Sequence, residues 1–153
     1  MNCPIPSDVA AFDSDRDGLT DRLYVGDLCG QVWRADLSPN KEAGFTGITS
    51  VVGKFAELSQ LNIDPTLVVD HRKIFFPPQV AQVLNNKFTA EARYDIVALA
   101  TGRRDNPLNV SVQDRAYLLR DFTTGPMTDA NADGLADSPN TISGPMVGNP
   151  GQL

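Results

Sequence analysis

The amino-acid sequence predicts an all-β protein, and three observations support that prediction. Its 153 residues include 16 Asp but only 3 Glu, and Asp prefers turns and caps whereas Glu tolerates helix interiors. Ten Asn, 12 Gly and 11 Pro also favour turns over helices. Short apolar segments recur at intervals of roughly 10 to 20 residues with turn residues between them, a spacing typical of β-sandwiches and of propeller blades.

The clearest local pattern is a hairpin formed by residues 22–25 and 31–37. The second of these segments alternates, with Val32, Arg34 and Asp36 on one face and Trp33 on the other. A period of two residues is the pattern of a β-strand, and the glycines at both ends of the intervening turn favour a hairpin. We expect Trp33 to lie in the core.

Further strands are expected at residues 9–12, 48–55, 73–76, 94–101 and 115–122. The segment 94–101 is the most convincing buried strand, and Tyr117 in the last segment is a candidate core residue. Pro77 and Pro78 end the segment 73–76, because proline cannot donate to a central-strand ladder. Residues 55–61 are the best candidate for a short helix, and the chain after residue 125 is rich in turn-forming residues.

Composition excludes several classes of protein. The net charge of −6 argues against nucleic acid as a partner, since binding phosphates needs clustered Lys and Arg. No run approaches the roughly 18 apolar residues that span a bilayer. The N-terminus lacks the basic and apolar regions of a secretory signal, so we expect either a cytosolic protein or a piece of a longer chain. Cys3 and Cys29 could form one disulfide, or remain thiols in a reducing compartment.

Two segments, residues 13–21 and 129–137, share the pattern Asp-x-[Asp/Asn]-x-Asp-Gly-Leu-x-Asp. Calcium takes six to eight oxygen ligands, and alternate residues of a tight loop can turn their carboxylates inward around one ion. Glycine at position 6 permits the sharp turn, and the residue at position 7 offers its backbone carbonyl. The predicted ligands are Asp13, Asp15, Asp17, Leu19 and Asp21 in the first loop, and Asp129, Asn131, Asp133, Leu135 and Asp137 in the second.

Neither loop is a full EF-hand. The bidentate glutamate of position 12 is replaced by Tyr24 in the first loop and by Asn140 in the second. Strands or prolines follow where an EF-hand or a dockerin would have a helix. The simplest alternative is a turn rich in Asp and Asn whose carboxylates only cap their own backbone. Seven of the 16 Asp lie in these two loops, so much of the acidity would be ligand charge.

The first loop and the hairpin after it resemble a known family. Residues 13–37 read Asp-x-Asp-x-Asp-Gly-x-x-Asp-Arg-Leu-Tyr-Val-Gly-Asp-Leu-x-Gly-x-Val-Trp-Arg-x-Asp-Leu. This stretch resembles the calcium-loop blade of the PilY family of type IV pilus tip adhesins. Residues 94–108 and 114–121 are similar to later segments of the same domain. The resemblance covers roughly residues 8 to 125, and no family element matches the second loop.

The resemblance implies an all-β fold of antiparallel four-stranded blades, part of a modified β-propeller with about two to three blades and few helices. It implies a first blade at 1–57, with the calcium loop and the hairpin, and a second blade at 58–125. Loop chemistry alone predicts a second calcium loop, followed by a Pro- and Gly-rich tail, at 126–153. Because a closed propeller needs at least four blades of about 40 residues, we expect a fragment of a longer adhesin or a shortened relative.

The implied function is a calcium-binding module that acts in pilus assembly, in control of extension and retraction, and in surface adhesion. The implied partners are minor pilins at the pilus tip, a host or abiotic surface, and the rest of the propeller. The implied location is extracellular, at the pilus tip, or periplasmic and outer-membrane associated. In that oxidising setting a Cys3–Cys29 disulfide pinning the N-terminus is expected.

We expect no enzyme. The only histidine, His71, stands in a polar stretch and is expected to be exposed. No serine occupies a nucleophile elbow, and no glycine-rich phosphate loop precedes a helix. The alternative function is a calcium-stabilised β domain of another secreted or cell-surface protein, in which the metal is purely structural.

Overall fold

The computed structural model contains two β-sheets and, among the residues it describes, no helix. It describes residues 3–37, 50–59, 72–84, 93–108, 112, 114–122, 127, 129, 134–137 and 142–143. The strands are β1 (Ala10–Phe12), β2 (Arg22–Gly26), β3 (Gln31–Leu37), β4 (Ser50–Glu57), β5 (Gln79–Leu84), β6 (Arg93–Ala100), β7 (Ala116–Asp121) and β8 (Ile142–Ser143). The predicted all-β class is therefore confirmed.

The first sheet is an antiparallel meander of β1, β2, β3 and β4 in sequence order. Tyr24 on β2 is the register partner of both Ala10 on β1 and Arg34 on β3. A register shift between Val32 and Trp33 marks an irregularity where β3 pairs with β4. The two-residue strand β8 pairs in parallel with the end of β4. The sheet thus has four antiparallel strands and a short parallel addition at its edge.

The second sheet consists of β5, β6 and β7, again antiparallel and in sequence order. Asp95 on β6 is the register partner of Gln82 on β5 and of Asp121 on β7. On β7 the residues alternate strictly between exposed and buried. One face of this sheet is therefore packed and the other is open.

The packed faces of the two sheets meet in one core. Its apolar part contains residues of both sheets and of the segments that follow β4 and precede β5, namely Tyr24, Val32, Phe55, Ala56, Leu58, Ile74, Val97, Leu99, Tyr117 and Leu119. Tyr24 contacts Phe55 edge-on, with ring centroids 5.7 Å apart. Tyr117 is buried, as the sequence predicts. Apolar burial of this kind stabilises the fold by about 25 cal/mol per Å² removed from water.

The strands predicted at 22–25, 31–37, 94–101 and 115–122 are present as β2, β3, β6 and β7. The predicted helix at 55–61 is wrong for its described part, because residues 55–57 complete β4. The predicted strand at 73–76 is also wrong. These residues form an irregular segment that pairs with no strand, and Ile74 within it is buried in the core. Strand β5 was not expected from the sequence.

The prediction that Trp33 lies in the core is wrong, because its side chain is on the less buried face of β3. It is half-buried, and its Nε1 donates a hydrogen bond to Asp27 Oδ2 at 3.0 Å. The buried face of β3 instead holds Val32, Arg34 and Asp36. Arg34 can face inward because it pairs with Asp121 of the second sheet. Asp36 can do so because Arg34 and Arg22 of its own sheet compensate its charge.

The disulfide implied by the family resemblance is present between Cys3 and Cys29. It ties the N-terminal segment to the β2–β3 turn. The backbone N–H of Leu28 also donates to the carbonyl of Pro4 at 3.0 Å. The segment before β1 is thus fixed at two adjacent points of the same turn.

Candidate metal centre

Three carboxylates converge in the loop that connects β1 to β2. Asp13, Asp15 and Asp21 each offer an oxygen, and these oxygens lie within 4.8 Å of one another. Two ligands of one calcium ion, at 2.3–2.6 Å from it, can be at most about 4.6–5.2 Å apart. The spacing is therefore compatible with one metal ion of calcium's size held by all three carboxylates.

The carboxylate of Asp13 shapes the loop around this cluster. Its Oδ1 accepts a hydrogen bond from the N–H of Arg16 at 2.6 Å, and its Oδ2 accepts one from Gly18 at 2.8 Å. Both donors have positive φ, 65° for Arg16 and 91° for Gly18. The chain therefore bends back towards Asp13, the first candidate ligand, as the glycine at position 6 predicts.

The carboxylate of Asp21 joins the loop to the sheet. Its Oδ2 accepts hydrogen bonds from the backbone N–H and the hydroxyl of Ser14, both at 2.7 Å. Its own N–H donates to the carbonyl of Phe12 at 3.0 Å, and its carbonyl accepts from Leu37 at 2.7 Å. Asp21 is thus held between the ends of β1 and β3, so one side of the cluster is rigid.

Asp17 and Leu19 complete the predicted ligand set of this loop, but Asp17 is not among the three carboxylates that converge. Its Oδ1 accepts a hydrogen bond from the N–H of Leu19 at 2.8 Å, and its N–H donates to Asp15 Oδ1 at 3.1 Å. The side chain of Leu19 is 62% exposed. The Asp side chains of this loop therefore do cap its backbone, as the alternative explanation expects, and three of the carboxylates also converge.

The second loop repeats the geometry of the first where both are described. The N–H of Gly134 donates to Asp129 Oδ2 at 2.8 Å, the same bond that joins Gly18 to Asp13. Gly134 has a φ of 82°, and Leu135 is 60% exposed. The predicted ligands Asn131 and Asp133 lie outside the described residues, and the described Asp137 is exposed.

The second loop lies against β4 rather than near the first loop's strands. The N–H of Val52 donates to the carbonyl of Gly134 at 2.8 Å, and the N–H of Ala136 donates to the carbonyl of Val52 at 3.0 Å. A Cβ added to Gly53 would lie 2.9 Å from the Cβ of Ala136, closer than real contacts allow. The glycine therefore permits the loop to approach the strand. The first loop connects β1 to β2, whereas the second lies against β4.

A substitution at Gly18 tests the loop conformation. Gly18→Ala is expected to lower the free energy of unfolding by about 1–2 kcal/mol, because alanine resists positive φ. A Cβ at Gly18 would meet nothing within 4 Å, so the cost is one of backbone conformation. Urea unfolding of the purified chain measures it.

Gly102→Ala is the matched control, since its Cβ also meets nothing within 4 Å and its φ is not positive. We expect that control to be neutral or slightly stabilising. Equal losses for the two variants would contradict the assigned loop geometry.

A buried charged network, which the sequence did not predict, joins the two sheets next to this loop. Arg34 on β3 donates to both oxygens of Asp36, at 2.8 and 3.0 Å, and to Asp121 Oδ2 on β7 at 2.6 Å. The hydroxyl of Tyr24 donates to the same Asp121 oxygen at 2.9 Å. Burial and the adjacent Asp121 charge raise the pKa of Tyr24 above its ordinary value.

Arg22, the residue directly after the candidate ligand Asp21, belongs to this network. It donates to Asp95 Oδ2 on β6 at 2.5 Å and lies 3.6 Å from Asp36 Oδ1. Beside it, Gln82 on β5 donates to the carbonyl of Ser14 within the loop at 2.9 Å. The candidate centre is therefore linked to the second sheet through two adjacent contacts.

Comparison with protein-family models, with curated proteins and with solved structures finds no match for this chain. None of the described residues forms a helix of the length and apolarity needed to cross a bilayer. His71 lies outside the described residues.

Proposed function

We propose that this protein is a calcium-binding β-propeller module of a type IV pilus tip adhesin, with a PilY-type first blade. The convergence of Asp13, Asp15 and Asp21 is the observation that carries the calcium part of the proposal. The resemblance of residues 13–37 to the family's calcium-loop blade carries the pilus part.

Calcium is the cation that suits this centre best. All the converging donors are carboxylate oxygens, which hard cations prefer, and soft ligands are absent from the loop sequence. Calcium accepts six to eight oxygen ligands in variable geometry, whereas magnesium demands a near-ideal octahedron, so a loop with five predicted oxygen donors favours calcium. When bound, calcium supplies the positive charge that offsets repulsion among carboxylates held this close.

The propeller part of the proposal draws on the sheets. A four-stranded antiparallel meander, β1 to β4, is the architecture of one blade, and a second antiparallel sheet packs on it. The open face of the second sheet exposes Leu118 by 70%, and Phe122 just after β7 is 67% exposed. Large apolar side chains on an open sheet face mark an interaction surface, which the rest of a propeller would cover.

The proposed mechanism acts by binding and mechanics, without catalysis. Asp21 holds the loop to the ends of β1 and β3, while Ser14 connects it to Gln82 on the second sheet. Ordering the loop therefore orders the edge where the two sheets meet. Through that edge the module would regulate pilus assembly, extension and retraction, and would present a surface to minor pilins and to a host or abiotic substrate at the cell exterior.

The second candidate is a calcium-stabilised β domain of another secreted or cell-surface protein. It is favoured by the capping bonds of Asp13 and Asp17, since a loop so strongly hydrogen-bonded to itself suits a structural metal. The two candidates differ in one measurable outcome. If calcium raises stability yet leaves binding to purified minor pilins unchanged, the structural candidate is favoured.

Thermal unfolding in chelator and in calcium tests the metal centre. Ligand binding to the folded state alone adds about 2.7 kcal/mol at a concentration 100 times Kd. We therefore expect calcium to raise the melting temperature of the wild type, and Asp13→Ala to remove the part of that rise due to the first loop. Asp8→Ala is the matched control, because Asp8 is exposed and lies outside the loop. Identical calcium responses of the Asp13→Ala and Asp8→Ala variants would reject the first site.

A further inference from the structure

Among the residues that the structure describes, the buried network between the sheets contains more negative than positive groups. Among the described residues it joins two guanidinium groups to three carboxylates, and every one of these five residues is at most 4% exposed. The members are Arg22, Arg34, Asp36, Asp95 and Asp121. If all were charged, the set would carry one uncompensated negative charge, and burying a charge without a partner is very costly.

Asp95 is the member with the weakest compensation. Its side chain is fully buried, and its Oδ1 has no hydrogen-bond partner, whereas its Oδ2 accepts from Arg22. Arg22 is shared with Asp36, which also accepts two bonds from Arg34 and one from the N–H of Met127 at 2.7 Å. Asp121 accepts from Arg34 and from Tyr24. Asp36 and Asp121 are thus well satisfied as anions, and Asp95 is not.

The groups that face Asp95 come from four strands. Arg22 bonds to it from β2, and the charge of Arg34 acts on it from β3. On its own sheet, Asp121 is its register partner on β7, and the uncharged Gln82 is its partner on β5. Two buried carboxylates paired across adjacent strands disfavour double ionisation.

We propose that the junction of the two sheets takes up one proton on folding, held by the carboxyl group of Asp95, and that this proton balances the buried network. The neutral acid leaves two guanidinium groups opposite two carboxylates. Burial, followed by the charge of Asp121, raises the pKa of Asp95 against the opposing effect of Arg22. The inference concerns the sheet junction alone and does not depend on calcium.

The proton has a defined effect on stability. A carboxyl group whose pKa is higher in the folded than in the unfolded state binds its proton more tightly when folded. Its contribution is therefore fully present below the unfolded value of about 3.9 and is lost as the pH rises through the folded-state value. Acidification from neutral pH should thus raise the free energy of unfolding of the wild type relative to that of a variant whose side chain is neutral at this position.

Urea unfolding of the full chain in chelator, from about pH 8 to about pH 4, tests the proposal with Asp95→Asn. Asparagine keeps an oxygen for Arg22 and cannot ionise. We expect the unfolding constant of the wild type to fall relative to that of the variant as the pH drops, by up to tenfold per pH unit. The exposed Asp114→Asn is the matched control and should run parallel to the wild type. Parallel curves for wild type and Asp95→Asn would overturn the proposal.

A second measurement needs no variant to fold. In wild-type protein labelled with ¹³C at the aspartate carboxyl carbons, the Asp95 resonance should titrate well above the ordinary range of Asp. A resonance that remains that of an ionised carboxylate down to about pH 4 would overturn the proposal.

Discussion

Arg34→Ala is expected to destabilise the folded protein by about 3–5 kcal/mol, the range for removing one partner of a buried ion pair. Arg34 is 2% exposed and donates to both oxygens of Asp36 and to one oxygen of Asp121. Its removal takes one bond from Asp121, which also accepts from the hydroxyl of Tyr24, and two bonds from Asp36. Hydrogen bonds to Asp36 and the charge of Asp121 keep the pKa of Arg34 raised although burial would lower it.

Urea unfolding at neutral pH measures this loss. Arg120→Ala is a suitable control, because Arg120 lies on the open face of β7 and contacts only the ring of Tyr94 in a cation–π pair at 5.7 Å among its described interactions. Exposed interactions of that kind contribute about 0.5–1 kcal/mol. A loss of less than about 1 kcal/mol in Arg34→Ala would show that the sheets do not depend on this network.

Removing the disulfide is expected to cost roughly 3–4 kcal/mol. The bond joins residues separated by 26 positions, and restricting a loop of about that length in the unfolded chain accounts for roughly 3.5 kcal/mol in the chain-entropy model. The Cys3→Ala/Cys29→Ala double variant, compared with the wild type by urea unfolding without reductant, measures the effect. The N-terminal segment also loses its covalent attachment to the β2–β3 turn.

Reductant supplies the control for this prediction. It should lower the stability of the wild type towards that of the double variant and leave the double variant unchanged. Wild-type protein that shows two free thiols before any reductant is added would contradict the bond itself.

The parts of the fold that follow from local chemistry could be predicted from the sequence. Alternation and flanking glycines predict the β2–β3 hairpin, and the long apolar run at 94–101 predicts β6. The sequence predicts a helix at residues 55–57, because a short apolar segment fits both a helix and a strand. Pairing with β3 makes these residues part of a strand. The segment 73–76 is apolar enough to predict a strand, but Ile74 packs in the core against Gly26 without strand pairing.

The candidate site also has one part that the sequence predicts, the loop, and one part that it does not, the charged network. Spacing predicts five ligand positions in the first loop, and the carboxylates of three of them, Asp13, Asp15 and Asp21, converge because this geometry is local to the loop. The network around Arg34 could not be predicted, since its partner Asp121 is 87 residues away in the chain. Only the alternation of β3 hinted at it, by placing Arg34 and Asp36 on one face with Val32. Trp33 is a better core residue by hydrophobicity, but the partner sheet presents carboxylates to β3.

Calorimetric titration of the calcium-free wild type with calcium tests the central claim most directly. We expect binding heat from two sites, with one site lost in Asp13→Ala and the other in Asp129→Ala. The first loop connects β1 to β2, the second lies against β4, and the two share no described ligand. Affinities in the micromolar to millimolar range would suit a protein outside the cytosol, where calcium is abundant. Heat traces indistinguishable from buffer in millimolar calcium would contradict the claim that these loops bind the ion.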